Sequence, residues 1–235
     1  MSIWLFKSTA RRRIRILVCG LLILAFGASV ISILIYNSGE NRALRRIEAL
    51  GGHAGTADMT ALLQSLPPGT PIDKVIARFQ FRPRVTDIDL HGTAATEADI
   101  AALARCLPHL YEIDVSSTSI TDASFAHLAQ LRNLSELKAR STSLKGRNIA
   151  ALRQCPSLRT LDLGDTAIDD AALADLARFP QLQRLVLDGT PISDAGLAHL
   201  IKAGNLRILI VSNTDVTWAG VENLEKANSK CRVLR

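Results

Sequence analysis

From residue 85 onward the hydrophobic positions recur with a step of 24 residues. Leu110, Leu134, Leu158, Leu182 and Leu206 form one column, and Ile113, Leu137, Leu161, Leu185 and Leu209 a second. Thr118, Thr142, Thr166, Thr190 and Thr214 follow, then Ile120, Leu144, Ile168, Ile192 and Val216. Two later columns begin at Phe125 and Leu128 and run to Val221 and Leu224; lying three residues apart, they share one face of a helix. An earlier copy at Ile88, Leu90, Thr93, Ile100 and Leu103 is offset by 25, so one residue is inserted before Leu110.

The apolar-x-apolar alternation places two side chains on one face of a short strand. Each unit can bury its apolar face only against its neighbours, so the units must stack. The pattern therefore predicts an α/β solenoid, with one parallel strand and one short helix per repeat, and six repeats over 85–235. Six strands at a spacing of ~4.8 Å make a sheet roughly 25 Å wide. Threonine hydroxyls at a fixed place in every turn are expected to bond turn backbone as a ladder. Asp122, Asp170 and Asp194, with Thr121, Asp169 and Ser193, are expected to supply helix N-caps and first-turn charge.

The N-terminal third follows other rules. Residues 16–36, ILVCGLLILAFGASVISILIY, are uncharged, and a bilayer core of about 30 Å takes ~20 apolar residues as a helix. Lys7, Arg11, Arg12, Arg13 and Arg15 precede the stretch and Arg42, Arg45 and Arg46 follow it, so the positive-inside rule predicts a cytoplasmic basic tail at 1–15. The competing reading, a signal peptide cleaved near Ala25-Phe26-Gly27, would leave a mature start that is still strongly apolar. Residues 37–84 read as a neck and a helical N-terminal cap. Leu44, Ile47 and Leu50 mark a short amphipathic helix ended by Gly51-Gly52; a weaker helix lies between Asp58 and Leu66, and Thr70-Pro71-Ile72-Asp73 starts a third.

Charge changes the picture only by its distribution. The chain of 235 residues carries a formal +6. Residues 1–84 hold 12 basic and 4 acidic side chains, a net +8, which leaves 16 basic and 18 acidic, a net −2, for the repeats. The basic excess thus flanks the apolar stretch, and nucleic-acid binding is set aside as the explanation of the high pI.

With the repeat written out, Thr121-Asp122-Ala123 and Ser193-Asp194-Ala195-Gly196-Leu197-Ala198-His199-Leu200 resemble the Thr-Asp-Ala-Gly-Leu type of bacterial leucine-rich repeat protein, in the ribonuclease-inhibitor-like superfamily. The resemblance covers 85–235. The third repeat departs from it with Lys145-Gly146-Arg147, and the sixth places Trp218 where aspartate is usual. In many such repeats Asn occupies the position that Thr holds here. The resemblance implies a non-catalytic protein-binding module and leaves the partner open.

No phosphate-binding loop, nucleophile elbow, H-E-x-x-H or paired C-x-x-C occurs, so neither enzyme activity nor a cofactor or metal is expected. His127 and His199 share a column that suits outward helix positions, and Cys155 falls in the column of Leu131 and Phe179. Cys231 falls in the last turn or in a truncated seventh strand, where an intermolecular disulfide is one option.

The candidate site is the face formed by alternate strand residues. It starts acidic with Asp87, Asp89, Glu112 and Asp114, passes through Lys138, Arg140, Asp162 and Arg184, and ends in an apolar patch of Val186, Ile208 and Ile210. Three functional expectations follow. The first is an anchored interaction module facing outside the cytoplasm, its partner a protein. The second is an envelope scaffold that self-associates through an open C-terminal end. The third, for inverted topology, is a cytoplasm-facing adaptor.

Overall fold

The computed structural model of the chain describes residues 42–56 and 85–235. The apolar stretch 16–36, the basic tail and the two expected helices between Asp58 and Phe79 lie outside the described residues. Among the described residues no helix is long and apolar enough to cross a membrane.

One sheet of eight strands runs in strict chain order. It comprises β1 (His53–Thr56), β2 (Val85–Asp89), β3 (Glu112–Asp114), β4 (Glu136–Lys138), β5 (Thr160–Asp162), β6 (Arg184–Val186), β7 (Ile208–Ile210) and β8 (Arg232–Leu234). Strands β2 to β8 are parallel, and the register steps by one repeat at each pairing. The central column Ile88, Ile113, Leu137, Leu161, Leu185, Leu209 and Val233 is buried throughout, as are the leucine columns on either side. Backbone bonds extend the ladder past each three-residue strand, for example from Val115 N–H to the Lys138 carbonyl at 2.8 Å.

Two strands depart from the expected six. β1 pairs antiparallel with β2, His53 opposite Asp89, so the N-terminal cap closes the sheet with a strand as well as a helix. Its helix α1 spans 42–49 and buries Ala43 and Ile47 against the first repeat, the face that the spacing of Leu44, Ile47 and Leu50 marks. β8 adds a seventh parallel strand and takes Cys231 with it. That thiol is buried, so the expected intermolecular disulfide has no surface to form on.

The returning segments carry α2 (Glu97–Cys106), α3 (Ser124–Leu128), a 3-10 helix (Ile149–Gln154), α4 (Asp170–Leu176), α5 (Asp194–Leu200) and α6 (Trp218–Ala227). The third repeat is the one without an α-helix. Its Lys145-Gly146-Arg147 run supplies no capping acid, and Asn148 enters the turn left-handed, at φ 62°.

Three polar systems hold the turns. The threonine ladder is present: Thr118, Thr142, Thr166 and Thr214 donate through Oγ1 to the carbonyl three residues back at 2.6–2.7 Å, and Thr190 does the same to Leu187. Each bond satisfies a turn carbonyl within its own repeat.

As expected, Asp169 and Ser193 are the N-caps of α4 and α5, with Asp170 and Asp194 in the first turns, whereas α3 starts from Ala123. The column aspartates also reach into the next repeat. Asp122 accepts from the backbone N–H groups of Lys145 and Gly146 in the following repeat. Asp170 accepts from Ser193 N and Oγ, and Asp194 from Thr217 N and Oγ1. The hydroxyls of Ser193 and Thr217 in turn accept from Ala195 N and Gly220 N at their own helix starts. Each aspartate thus joins two repeats, and a Ser or Thr relays the bond to the next helix. Where Gly146 breaks the column, Asp169 caps its own helix directly, accepting from Ala171 N and Ala172 N.

The third system ties the cap down. Asp99, nearly buried, forms a capping box with Thr96 and meets Arg46 of α1 at 2.6 Å. Arg46, placed by its sequence neighbours beside a membrane, is engaged with the first repeat.

Candidate functional site

The strand face carries three rows. The first residues paired in the parallel register are Asp87, Glu112, Glu136, Thr160, Arg184, Ile208 and Arg232, from β2 to β8. The last strand residues are Asp89, Asp114, Lys138, Asp162, Val186, Ile210 and Leu234. Two residues further on, at the mouth of each turn, lie His91, Ser116, Arg140, Gly164, Asp188 and Ser212.

The expected cations in the middle of this face are neutralised. Lys138 Nζ lies 2.5 Å from Glu112 and 3.3 Å from Glu136. The Glu112 bond holds the ammonium charged well above its ordinary range. Arg140 makes a bidentate pair with Asp188 at 2.6 and 2.7 Å, a bond to Asp165 at 2.7 Å and a longer contact to Asp162 at 3.6 Å. That arginine reaches across two strands because Gly164 lies beneath it: a Cβ there would sit 2.5 Å from the guanidinium carbon. The bidentate bond keeps the Asp188 carboxyl below the usual carboxylate range.

The acidic end is different. Asp87, Asp89 and Asp114 make no ion pair among the described residues. Asp89 and Asp114 do hold the backbone, accepting from His91 N and Ser116 N at 2.9 Å, and Asp162 accepts from Gly164 N at 3.0 Å. The charge of Asp89 and Asp114 is open while one lone pair of each serves the turn.

The expected apolar patch is smaller than its residues suggest. Val186 is buried, held in register between Asp162 and Ile210, whereas Ile208 and Ile210 are half-buried. The short β8, one of the two options for the chain around Cys231, continues this end with Leu234, which is 40% exposed. Arg184 and Arg232 are exposed and make no ion pair among the described residues.

Sequence reasoning missed the row just ahead of the strands, because its residues share no type. Thr86, Tyr111, Ser135 and Arg159 line a polar groove of about 520 Å³ with His109, Asn133 and Ser157. Tyr111 is 54% exposed, one of few large side chains so open. Trp218 is another, with the Arg235 guanidinium 5.1 Å from its ring centroid. Among the described residues no three His, Cys, Asp or Glu side chains are placed to hold a metal ion.

A strand, a turn with a laddered hydroxyl and a short helix, repeated every 24 residues on one parallel sheet, make a solenoid like that of leucine-rich repeat proteins. Residues 125–219 match the family described as FBD-associated F-box protein At5g56370, LRR repeats. Among solved structures, an internalin (inlF) from Listeria monocytogenes aligns over 64% of this chain with 22% identity and a TM-score of 0.46. The Leptospira interrogans LRR protein LIC12759 aligns over 57% with 18% identity and a TM-score of 0.47. The aligned part spans 38% and 33% of those two chains. No curated protein matches the sequence.

Proposed function

We propose that the chain is a single-pass membrane protein whose repeat domain lies outside the cytoplasm and binds a protein through its strand face, without catalysis. The anchor rests on the uncharged stretch 16–36 and on the heavier arginine cluster ahead of it. The binding surface rests on one observation above the others. A rigid sheet presents Asp87, Asp89 and Asp114 with open charge, next to Lys138 and Arg140, whose charge is already consumed. Such a surface selects partners by electrostatic complementarity more than by buried area.

Two experiments test this. Protease treatment of sealed cells, with only the outer layer opened where one exists, should remove a C-terminal tag and leave an anchored fragment. A protected, membrane-bound tag would invert the topology and make the protein a cytoplasm-facing adaptor. For the face, Asp87→Asn, Asp89→Asn and Asp114→Asn together keep the turn acceptors and remove the charge. The triple variant should lose the in-cell cross-links of the full chain to its partner while melting like the parent. Unchanged cross-links would place the binding surface elsewhere.

A further inference from the structure

The first-residue row changes sign along its length. It runs Asp87, Glu112, Glu136, then neutral Thr160, then Arg184, Ile208 and Arg232, in register across seven parallel strands. At ~4.8 Å per strand the row is about 29 Å long, with Thr160 at its midpoint. Reversed about Thr160, it complements itself at two of its three pairs: Asp87 falls opposite Arg232 and Glu136 opposite Arg184, while Glu112, already paired with Lys138, falls opposite Ile208, and Thr160 opposite its own copy. The row ahead of it matches only in part: its reversal sets the exposed Tyr111 opposite the exposed Arg207, a guanidinium–aromatic match, but also sets Arg159 opposite its own copy.

We propose that this rim of the sheet docks a second copy of the chain, antiparallel, on a two-fold axis passing beside Thr160. The proposal rests on reading the strand face as a protein-binding surface and names its occupant. A two-fold interface must be complementary to itself, and that is the property the charges have. Arg184 and Arg232 are exposed and make no ion pair among the described residues, so they are available to the other copy. Glu136 shares Lys138 with Glu112, which leaves one net negative charge among the three for the partner's arginine. The last-residue row does not reverse onto itself in this way, so contact is confined to the rim.

The test uses the full chain in its membrane with Thr160→Cys in a Cys106→Ser background, since Cys106 is the half-exposed thiol among the described residues. Mild oxidation should give a disulfide-linked dimer. Arg184→Glu should cut its yield about tenfold or more, by turning both symmetry-related contacts repulsive. Adding Glu136→Arg should restore the yield, because the swapped pair is again complementary. Raising salt should weaken the dimer. Absence of the dimer from a Thr160→Cys protein that melts like the parent overturns the proposal. So does a dimer indifferent to Arg184→Glu, or a failed rescue. A dimer detected by light scattering that Thr160→Cys does not trap also overturns it, since assembly through the β8 edge leaves the two Thr160 residues apart. The triple variant also removes Asp87 from this row, so the double variant Asp89→Asn, Asp114→Asn, which leaves every residue of the row unchanged, reads failure of the wider face separately from failure of the dimer.

Discussion

Asp170 of one repeat accepts hydrogen bonds from both the backbone N–H and the hydroxyl of Ser193 in the next, at 2.8 and 2.6 Å. Asp194 repeats the arrangement with Thr217. The bond explains why a glycine stands 26 positions after each of these aspartates, at Gly196 and Gly220. A Cβ on Gly196 would meet Asp170 Oδ1 at 2.2 Å, and one on Gly220 would meet Asp194 Oδ1 at 2.0 Å. The Thr-Asp-Ala-Gly-Leu signature therefore encodes stacking, with the aspartate reaching forward and the glycine making room for the aspartate behind it.

Asp170 and Gly196 should behave as a coupled pair. Asp170→Ala removes a charge-assisted bond and is expected to cost ~2–3 kcal/mol in urea unfolding. Gly196→Ala alone should destabilise by ~1–3 kcal/mol through crowding. In the Asp170→Ala background the same change should become neutral or favourable by up to ~1 kcal/mol, because alanine suits a helix interior better than glycine. Simple additivity in this double-mutant cycle would refute the coupling.

The threonine ladder should be worth about one hydrogen bond per rung. Thr166→Val keeps the shape and strips the donor from the Leu163 carbonyl, with an expected loss of ~1–2 kcal/mol. Thr160→Val, half-exposed on the strand face, should change stability by under ~0.5 kcal/mol. Paired chemical denaturation of the two variants makes the comparison.

Acid should loosen the repeats. Burial would raise the Asp99 carboxyl, but bonds from Arg46 and Thr96 outweigh it and hold the group below its ordinary range. Bonds from Thr217 hold Asp194 low as well. A depressed folded-state pKa stabilises fully above the unfolded value of ~3.9, and the contribution is lost as pH falls through the folded values. Thermal melts should therefore be flat from pH 7 to about 5 and drop steeply below about 4. Asp194→Asn should show a shallower drop, and an identical acid limb would count against the assignment.

The thiols should separate by reactivity. Burial pushes Cys155 and Cys231 up to about 11, and Cys155 Sγ also points at the Leu128 carbonyl. The thiolate is the nucleophile, so iodoacetamide at pH 8 should spare both residues in the native protein and label the half-exposed Cys106 first. Peptide mapping with and without denaturant reads the order.

The strand face shows where inference along the chain stops. Asp89, Asp114 and Lys138 are correctly placed on one face by the period of 24, and the acidic end is visible in the sequence. Nothing in the sequence says that Arg140 reaches Asp188, 48 positions away, because that depends on a bare Gly164 in the repeat between them. β1 was equally hidden. Its antiparallel pairing is made by four residues, His53–Thr56, too few for any period to show.

By itself, the sequence determined the repeat, the buried columns and the threonine ladder. All of these repeat with the chain, and a period needs no knowledge of what lies across it. The tertiary structure alone decided which charges are spent and which are open. Side chains such as Lys138 and Arg140 choose partners among neighbours 24 to 48 residues away, within a few ångströms and according to what space a glycine or a turn leaves them. It likewise decided that the signature aspartates join repeats, since a carboxylate capping its own helix and one reaching to the next are written with the same letter.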